Sequence, residues 1–290
     1  MSKLINRVGR VVAPGVVDFL TREVKEPGPR QVVVKIAASA ICGSDLHIFK
    51  GKHPSAPLPV TIGHEFSGEV VATGSAVTKV KSGDRVTVEP VLTCGECSAC
   101  RTGNYGYCER ISFTYRNGDG AMADYITVDE VSLYKLPEHL SYDAGALIEP
   151  LSVATHAVRR AGIELGEKVL VIGAGAIGLL VAALCRRRGA TEVAVVDFSP
   201  KRLAMALELG ATTVVNPSVQ SVEEAVKELT GGTGFDKSFE CVGLEVTFNQ
   251  AMMALRKNGL ATIVGIFEQP LITIPATRFI THEIKVQGSQ

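Results

Sequence analysis

Four cysteines crowded into the stretch Cys94-x2-Cys97-x2-Cys100-x7-Cys108 form the most specific chemical pattern in the chain. In a reducing compartment such a cluster reads as a metal site rather than a disulfide framework. Four thiolates on one loop can wrap a tetrahedral ion with Zn–S near about 2.3 Å and leave no position for a substrate, so the expected role is structural. Iron–sulfur clusters are the rival, because their runs also begin C-x2-C-x2-C. The long last spacing and the lack of a proline after Cys108 favour zinc. The remaining Cys185 and Cys241 fall in a helical and a strand pattern and are assigned to the core.

A second set offers mixed donors. Cys42-Gly43-Ser44-Asp45-Leu46-His47 is followed by Gly63-His64-Glu65-Phe66-Ser67-Gly68. Cys42, His64 and an acid together supply sulfur, nitrogen and oxygen, and leave open the coordination position that catalytic zinc requires. Two carboxylates compete as the third protein ligand. One is Glu65 and the other is Glu149, in Leu147-Ile148-Glu149-Pro150-Leu151-Ser152; spacing does not choose between them.

The third pattern is Gly173-x-Gly175-x-x-Gly178, with Ala176 and Ile177 inside it, following Val169-Leu170-Val171-Ile172. Glycine-rich turns are common, but this one follows a strand, opens a helix and precedes an acid, Asp197, at a strand's end. That context is the dinucleotide fingerprint. Gly173 permits the tight turn, Gly175 lets the backbone approach a pyrophosphate, and Gly178 lets helix and strand pack closely. The helix N-terminus adds free N–H groups. Asp197 would accept bonds from ribose hydroxyls and repel a 2′-phosphate, favouring NAD. Lys201 and Arg202 keep NADP in view without replacing the acid.

Two kinds of element must position these groups. From residue 1 to 152 the text is β-rich and punctuated by Gly, Pro and Asp, with strands expected at Val32–Ile36, Glu69–Val71 and Arg85–Val88. From 153 to 290 short apolar strands alternate with helical patterns. The expected order is Val169–Gly173, Ile177–Arg188, Glu192–Asp197, Pro200–Leu209, Thr213–Val215, Val222–Leu229, Phe235–Val242, Val246–Leu255, Leu260–Gly265 and Ile284–Gln287. Such alternation is the signature of a doubly wound parallel α/β sheet of the Rossmann type, here with six strands. Glu149 is expected near the seam of the two halves, where a metal would meet a dinucleotide.

The 290 residues suffice for two domains, and 46% apolar with 21% charged residues is ordinary for a folded protein. Thirty basic and thirty acidic residues give no net charge, which argues against a nucleic-acid partner. No apolar stretch reaches the roughly 20 residues of a membrane span, and the N-terminus carries no signal pattern. The expectation is a cytoplasmic protein with neither membrane nor nucleic acid as partner.

Taken in order, these motifs resemble the zinc-dependent medium-chain dehydrogenases, which join a GroES-like catalytic domain to a Rossmann domain. The resemblance is carried by Cys42-Gly43-Ser44-Asp45-x-His47, Gly63-His64-Glu65-x-x-Gly68 and Gly83-Asp84-Arg85-Val86. The four-cysteine lobe, the glycine turn and Asp197 complete it, so it spans nearly the whole chain. Ile148-Glu149-Pro150-Leu151-Ser152-Val153 is similar to the polyol branch, which holds sorbitol, xylitol and butanediol dehydrogenases. The resemblance implies one catalytic and one structural Zn²⁺, NAD, a small alcohol substrate and a homodimer or homotetramer. It implies an open zinc held by Cys42, His64 and Glu65 or Glu149, acidifying a substrate hydroxyl whose carbon then gives hydride to the nicotinamide. Ser44 would pass the substrate proton, through the cofactor ribose, to His47, histidine being the side chain that exchanges protons near neutral pH. Asp45 would orient His64. A threonine 3-dehydrogenase-like enzyme is the alternative, sharing every metal and cofactor residue. Family members continue past the sixth strand and return to the catalytic domain. A chain stopping at Gln290 is therefore expected to be a fragment, or a truncated zinc- and NAD-binding form of low activity.

Overall fold

The computed structural model describes residues 4–53, 56–114 and 120–290. It divides into two compact units, Met1–Glu149 and Pro150–Gln290. The division falls inside a helix rather than at a flexible linker. No helix among the described residues is long and apolar enough to cross a membrane.

The first unit opens with a hairpin of β1 (Ile5–Ala13) and β2 (Val16–Glu23). There follow β3 (Gln31–Ala40), α1 (Gly43–Phe49), β4 (Glu65–Thr73), β5 (Arg85–Val88) and β6 (Val91–Leu92). After them come α2 (Ser98–Arg101), β7 (Ser112–Phe113), β8 (Tyr125–Asp129), β9 (Leu133–Lys135) and α3 (Tyr142–Ala146). Five strands form an antiparallel sheet in the order β8-β3-β4-β5-β9, and β6 pairs with β7 alone. Val32, Val34, Phe66, Val70, Val86, Ile126 and Leu133 alternate along these strands and form the core. The alternation is the ordinary consequence of a pleat with one buried face. Strands β3 and β4 run several residues beyond the apolar runs that mark them in the sequence. Their outer ends, Ala38–Ala40 and Glu65–Ser67, pair with each other across a register shift. Polar and small residues hide these ends from a periodicity reading.

The second unit begins within α4 (Ile148–Ala161) and continues β10 (Lys168–Ile172), α5 (Ala176–Arg187), β11 (Glu192–Val196), α6 (Pro200–Leu209) and β12 (Thr213–Val215). Then follow α7 (Val222–Thr230), β13 (Phe235–Glu240), α8 (Glu245–Met253), β14 (Leu255–Ile263), α9 (Thr277–Thr281) and β15 (Lys285–Gly288). The sheet order β12-β11-β10-β13-β14-β15, with every neighbour parallel, is the doubly wound order with its switch between β10 and β13. Val169, Val171, Val193 and Val195 pack on one face, and Leu170, Ile172, Ala194 and Val196 on the other. Burial on both faces explains why these strands read as unbroken apolar runs. One element differs in extent. β14 starts at Leu255, whereas the sequence places a helix up to that residue and a strand only from Leu260. Leu255 pairs with Phe235, and a bulge absorbs the polar Arg256–Gly259 turn that masks the strand.

α3 carries the chain toward Glu149, and it is pinned to the first unit's sheet. The Ser67 hydroxyl donates to the carbonyl of Tyr142 (2.5 Å), and the buried Thr87 hydroxyl donates to that of Gly145 (2.8 Å). Thr87→Val keeps the shape but strips a buried carbonyl of its donor, and should cost about 1–3 kcal/mol. An unchanged denaturant midpoint would show that the Thr87 bond does not help to hold α3.

Candidate metal centres and nucleotide cradle

The register of β3 on β4 builds the first centre. Ala40 lies opposite Glu65, so Cys42, two residues past the end of β3, comes to His64 and Glu65 at the start of β4. The donor atoms of Cys42, His64 and Glu65 all lie within 4.8 Å of one another. Asp45, on the first turn of α1, ties the ends together. Its carboxylate has no exposed surface. Oδ2 accepts the N–H of Cys42 (3.0 Å), Oδ1 accepts that of Gly63 (3.2 Å), and Oδ1 also lies 3.6 Å from His64 Nδ1. With Nδ1 turned to Asp45, Nε2 is the ring nitrogen left for a ligand. This is the usual way a carboxylate orients a metal-binding imidazole.

The electrostatics of this pocket favour a cation. Burial works against a charged His64, but the hydrogen bonds and charges of Asp45 and Cys42 outweigh it and drive the imidazole up to about 11. Burial raises Glu65, with the charge of His64 pulling the other way. Glu149, in the first turn of α4, is pushed up to about 7 by burial, opposed by His64 and reinforced by Glu65 and Asp45. A site where burial destabilises carboxylates and proton uptake is strongly favoured is short of positive charge. The S, N and O donor set therefore fits a divalent ion. Glu65 belongs to the three-donor cluster. Glu149 does not, although it lies within electrostatic reach of the same groups.

Ser44 and His47 share α1 with Asp45, at positions i and i+3, so they stand on adjacent parts of one helical face. Ser44 is buried and His47 is half-buried.

The second centre is a lobe closed at its base by the β6–β7 pair. Cys94 Sγ lies 3.5 Å from Cys108 Sγ and 3.9 Å from Cys100 Sγ, and Cys97 belongs to the same four-donor group. Tetrahedral bonds of about 2.3 Å would space the sulfurs about 3.8 Å apart, whereas a disulfide needs about 2.05 Å. All four cysteines are free. Backbone N–H groups point at the sulfurs, from Cys97 to Cys94 and from Cys94 and Arg110 to Cys108. Backbone hydrogen bonds lower Cys94 to about 6 and also lower Cys97, while burial and the neighbouring thiols raise Cys100 to about 12. The lobe stabilises some thiolates but not four together, and a cation between the sulfurs would remove that conflict.

In the second unit Gly173 directly follows β10 at φ 98°, and a Cβ there would stand 2.6 Å from Val242 Cγ2. Gly175 is the N-cap of α5, and a Cβ on it would meet nothing within 4 Å. Ala176, Ile177 and Gly178 form the first turn. A Cβ on Gly178 would collide with the carbonyl of Gly173. Open space at Gly175 beside free helical N–H groups is the cradle a pyrophosphate needs. Asp197 directly follows β11. Its Oδ2 accepts the N–H of Ala174 (2.8 Å) and its Oδ1 that of Ser199 (2.8 Å), and Arg202 Nη1 lies 3.8 Å from Oδ2. The acid thus also fastens the glycine turn to the β11 loop, a link no sequence spacing reveals.

Residues 28–138 match the family described as alcohol dehydrogenase GroES-like domain, and residues 176–290 the family described as zinc-binding dehydrogenase. A D-arabitol-phosphate dehydrogenase of Enterococcus avium is 36% identical over 295 residues, covering 100% of this chain and 84% of the relative. A sorbitol dehydrogenase of Halalkalibacterium halodurans is 38% identical over 280 residues, covering 95% and 81%. Among solved structures, a zinc-binding dehydrogenase from Sinorhizobium meliloti bound to NADP superposes with a TM-score of 0.92. It is 32% identical, with 99% of this chain and 84% of that one covered.

Removing the carboxylate that holds His64 should loosen metal at the first centre alone. Asp45→Ala is expected to weaken metal retention there about 10–100-fold, with the four-cysteine lobe unaffected. Metal content after graded chelation measures this, and parallel loss from both centres would contradict it.

Proposed function

Because the chain belongs to the zinc-dependent medium-chain alcohol and polyol dehydrogenases, we propose that it oxidises a secondary alcohol of a polyol or vicinal diol with NAD as acceptor. The observation that carries this reading is the convergence of Cys42, His64 and Glu65 in one cation-seeking pocket. Zinc in that donor set supplies a Lewis acid for the substrate hydroxyl, and the nicotinamide supplies the hydride acceptor. Asp45 holds His64 in the ligand orientation. Ser44 would take up the substrate hydroxyl proton as it gives up its own towards His47, one turn further along α1, which would release a proton to water. Glu149 stands by as a carboxylate beside the donors, able to exchange with Glu65 or to hold a water. The lobe of Cys94, Cys97, Cys100 and Cys108 takes a second, structural zinc.

NAD is favoured because Asp197 offers ribose hydroxyls an acceptor and a 2′-phosphate a repelling charge. Arg202 beside it supports the opposite preference, and the NADP-bound structural relative makes the ratio worth measuring. Phosphorylated polyols enter the substrate panel because the arabitol-phosphate enzyme matches the entire chain.

The test is NADH formation from sorbitol, xylitol, 2,3-butanediol, D-arabitol phosphate and threonine, with and without a chelator. Chelator-sensitive turnover of a polyol or diol is expected. Turnover of threonine alone would move the assignment to the amino-alcohol branch, and no turnover with NAD still bound would leave a binding protein. Cys42→Ala should abolish turnover while NAD affinity stays within about twofold of the parent. Cys94→Ala should instead lower the melting temperature, because a structural zinc contributes folding free energy. Equal destabilisation by both would mean that the two metal roles are wrongly divided. Asp197→Ala should shift the cofactor ratio towards NADP, and an unchanged ratio in steady-state assays would refute its discriminating role.

A further inference from the structure

Glu240 ends β13 with a carboxyl group that has no exposed surface. Its Oε1 accepts three hydrogen bonds, from the N–H of Val242 (2.8 Å), the N–H of Gly243 (2.7 Å) and the hydroxyl of Thr247 (2.8 Å). Its Oε2 is buried with no donor among the described residues, and a Cβ on Gly265 would stand only 2.6 Å from it. The backbone carbonyl of Glu240 accepts the N–H groups of Val264 (2.8 Å) and Gly265 (3.0 Å). In the sheet it lies opposite Ile172, the last residue of β10, on one side and Ile263 on the other. The loop it clamps packs in turn on the glycine turn, since a Cβ on Gly173 would meet Val242 Cγ2 and the carbonyl of Cys241.

The buried carboxylate therefore gathers the Val242–Thr247 turn, and that turn packs closely on the loop after β14 at Gly265 and Ile266 and on the glycine turn after β10. Stability alone does not call for this. Burying a carboxyl with a bare oxygen is unfavourable, and well-packed apolar groups commonly serve a core as well or better. Ligands of doubly wound sheets bind outside those strand ends, across the switch point. If Asp197 takes the adenosine ribose beyond β11, the other half of a dinucleotide lies over β13 and β14, where Glu240 sets the loops.

We propose that Glu240 is a positioning residue for the nicotinamide half of the cofactor, holding the Val242–Thr247 turn and the Val264–Ile266 loop in binding geometry. This rests on the nicotinamide reading above, and binding measurements separate the two. In the full chain, Glu240→Ala should weaken NADH, read by its fluorescence, about tenfold or more. AMP, which carries only the adenosine half, should bind within about twofold of the parent. Glu240→Gln keeps an acceptor at Oε1 and should recover most of the NADH affinity. A purely structural role would lower the melting temperature and leave the NADH-to-AMP ratio unchanged. That result, or equal loss of both ligands, would overturn the proposal. If Glu240→Ala does not fold, Thr247→Val, which removes one of the three donors to Oε1 and keeps the carboxylate, carries the same comparison. A parent chain that binds AMP but not NADH, or neither, overturns the cofactor reading itself and this inference with it.

Discussion

Asp45 is the contact on which the first unit's chemistry depends. A carboxylate wholly removed from water is several kcal/mol unfavourable unless its oxygens are met. Here they are met by N–H groups from the end of β3 and the approach to β4, and by an imidazole. Satisfying one buried charge therefore forces Cys42, Gly63 and His64 into a single neighbourhood. The donor cluster follows from that requirement as much as from the strand pairing. The same acid biases the pocket towards positive charge: against the opposing effect of burial, it raises the His64 imidazole together with Cys42.

The two donor clusters offer opposite coordination patterns with related side chains. The mixed S, N, O set offers three donors, with a second carboxylate, Glu149, within electrostatic reach, which would leave a coordination position open on a tetrahedral ion. The four-cysteine lobe is complete and local, built from one loop whose backbone N–H groups already point at sulfur. Incomplete coordination leaves room for a reactant, whereas complete coordination contributes only folding energy. That difference is what the proposed division into a chemical and a scaffolding centre rests on.

In the second unit a similar division holds between two carboxylates at strand ends. Asp197 lies partly accessible after β11, where it can fasten the glycine turn and still meet a ribose. Glu240 is sealed after β13 and touches only its own loops. The proposed roles follow that difference, contact with a ligand for the accessible acid and support of the surrounding loops for the sealed one. Both exploit the backbone N–H groups that parallel strands leave free at their C-terminal ends.

The sequence by itself determined whatever rests on local spacing. The four cysteines, the glycine turn and its helix, and the parallel strands of the second unit were all legible, because loops, caps and doubly buried strands leave short-range signatures. The family followed from those motifs in their order. Tertiary structure alone decided how distant pieces meet. The choice of Glu65 over Glu149 as a member of the donor cluster depends on the register of Ala40 against Glu65. That register is set by bulges and pairings that no spacing encodes. The extended ends of β3 and β4 and the early start of β14 were hidden for the same reason, their stability coming from neighbours rather than from apolar periodicity. Glu240 was invisible as well: in the sequence it is one acid in Phe239-Glu240-Cys241, and only folding shows that it is fully buried with the Val242–Thr247 turn wrapped on its Oε1.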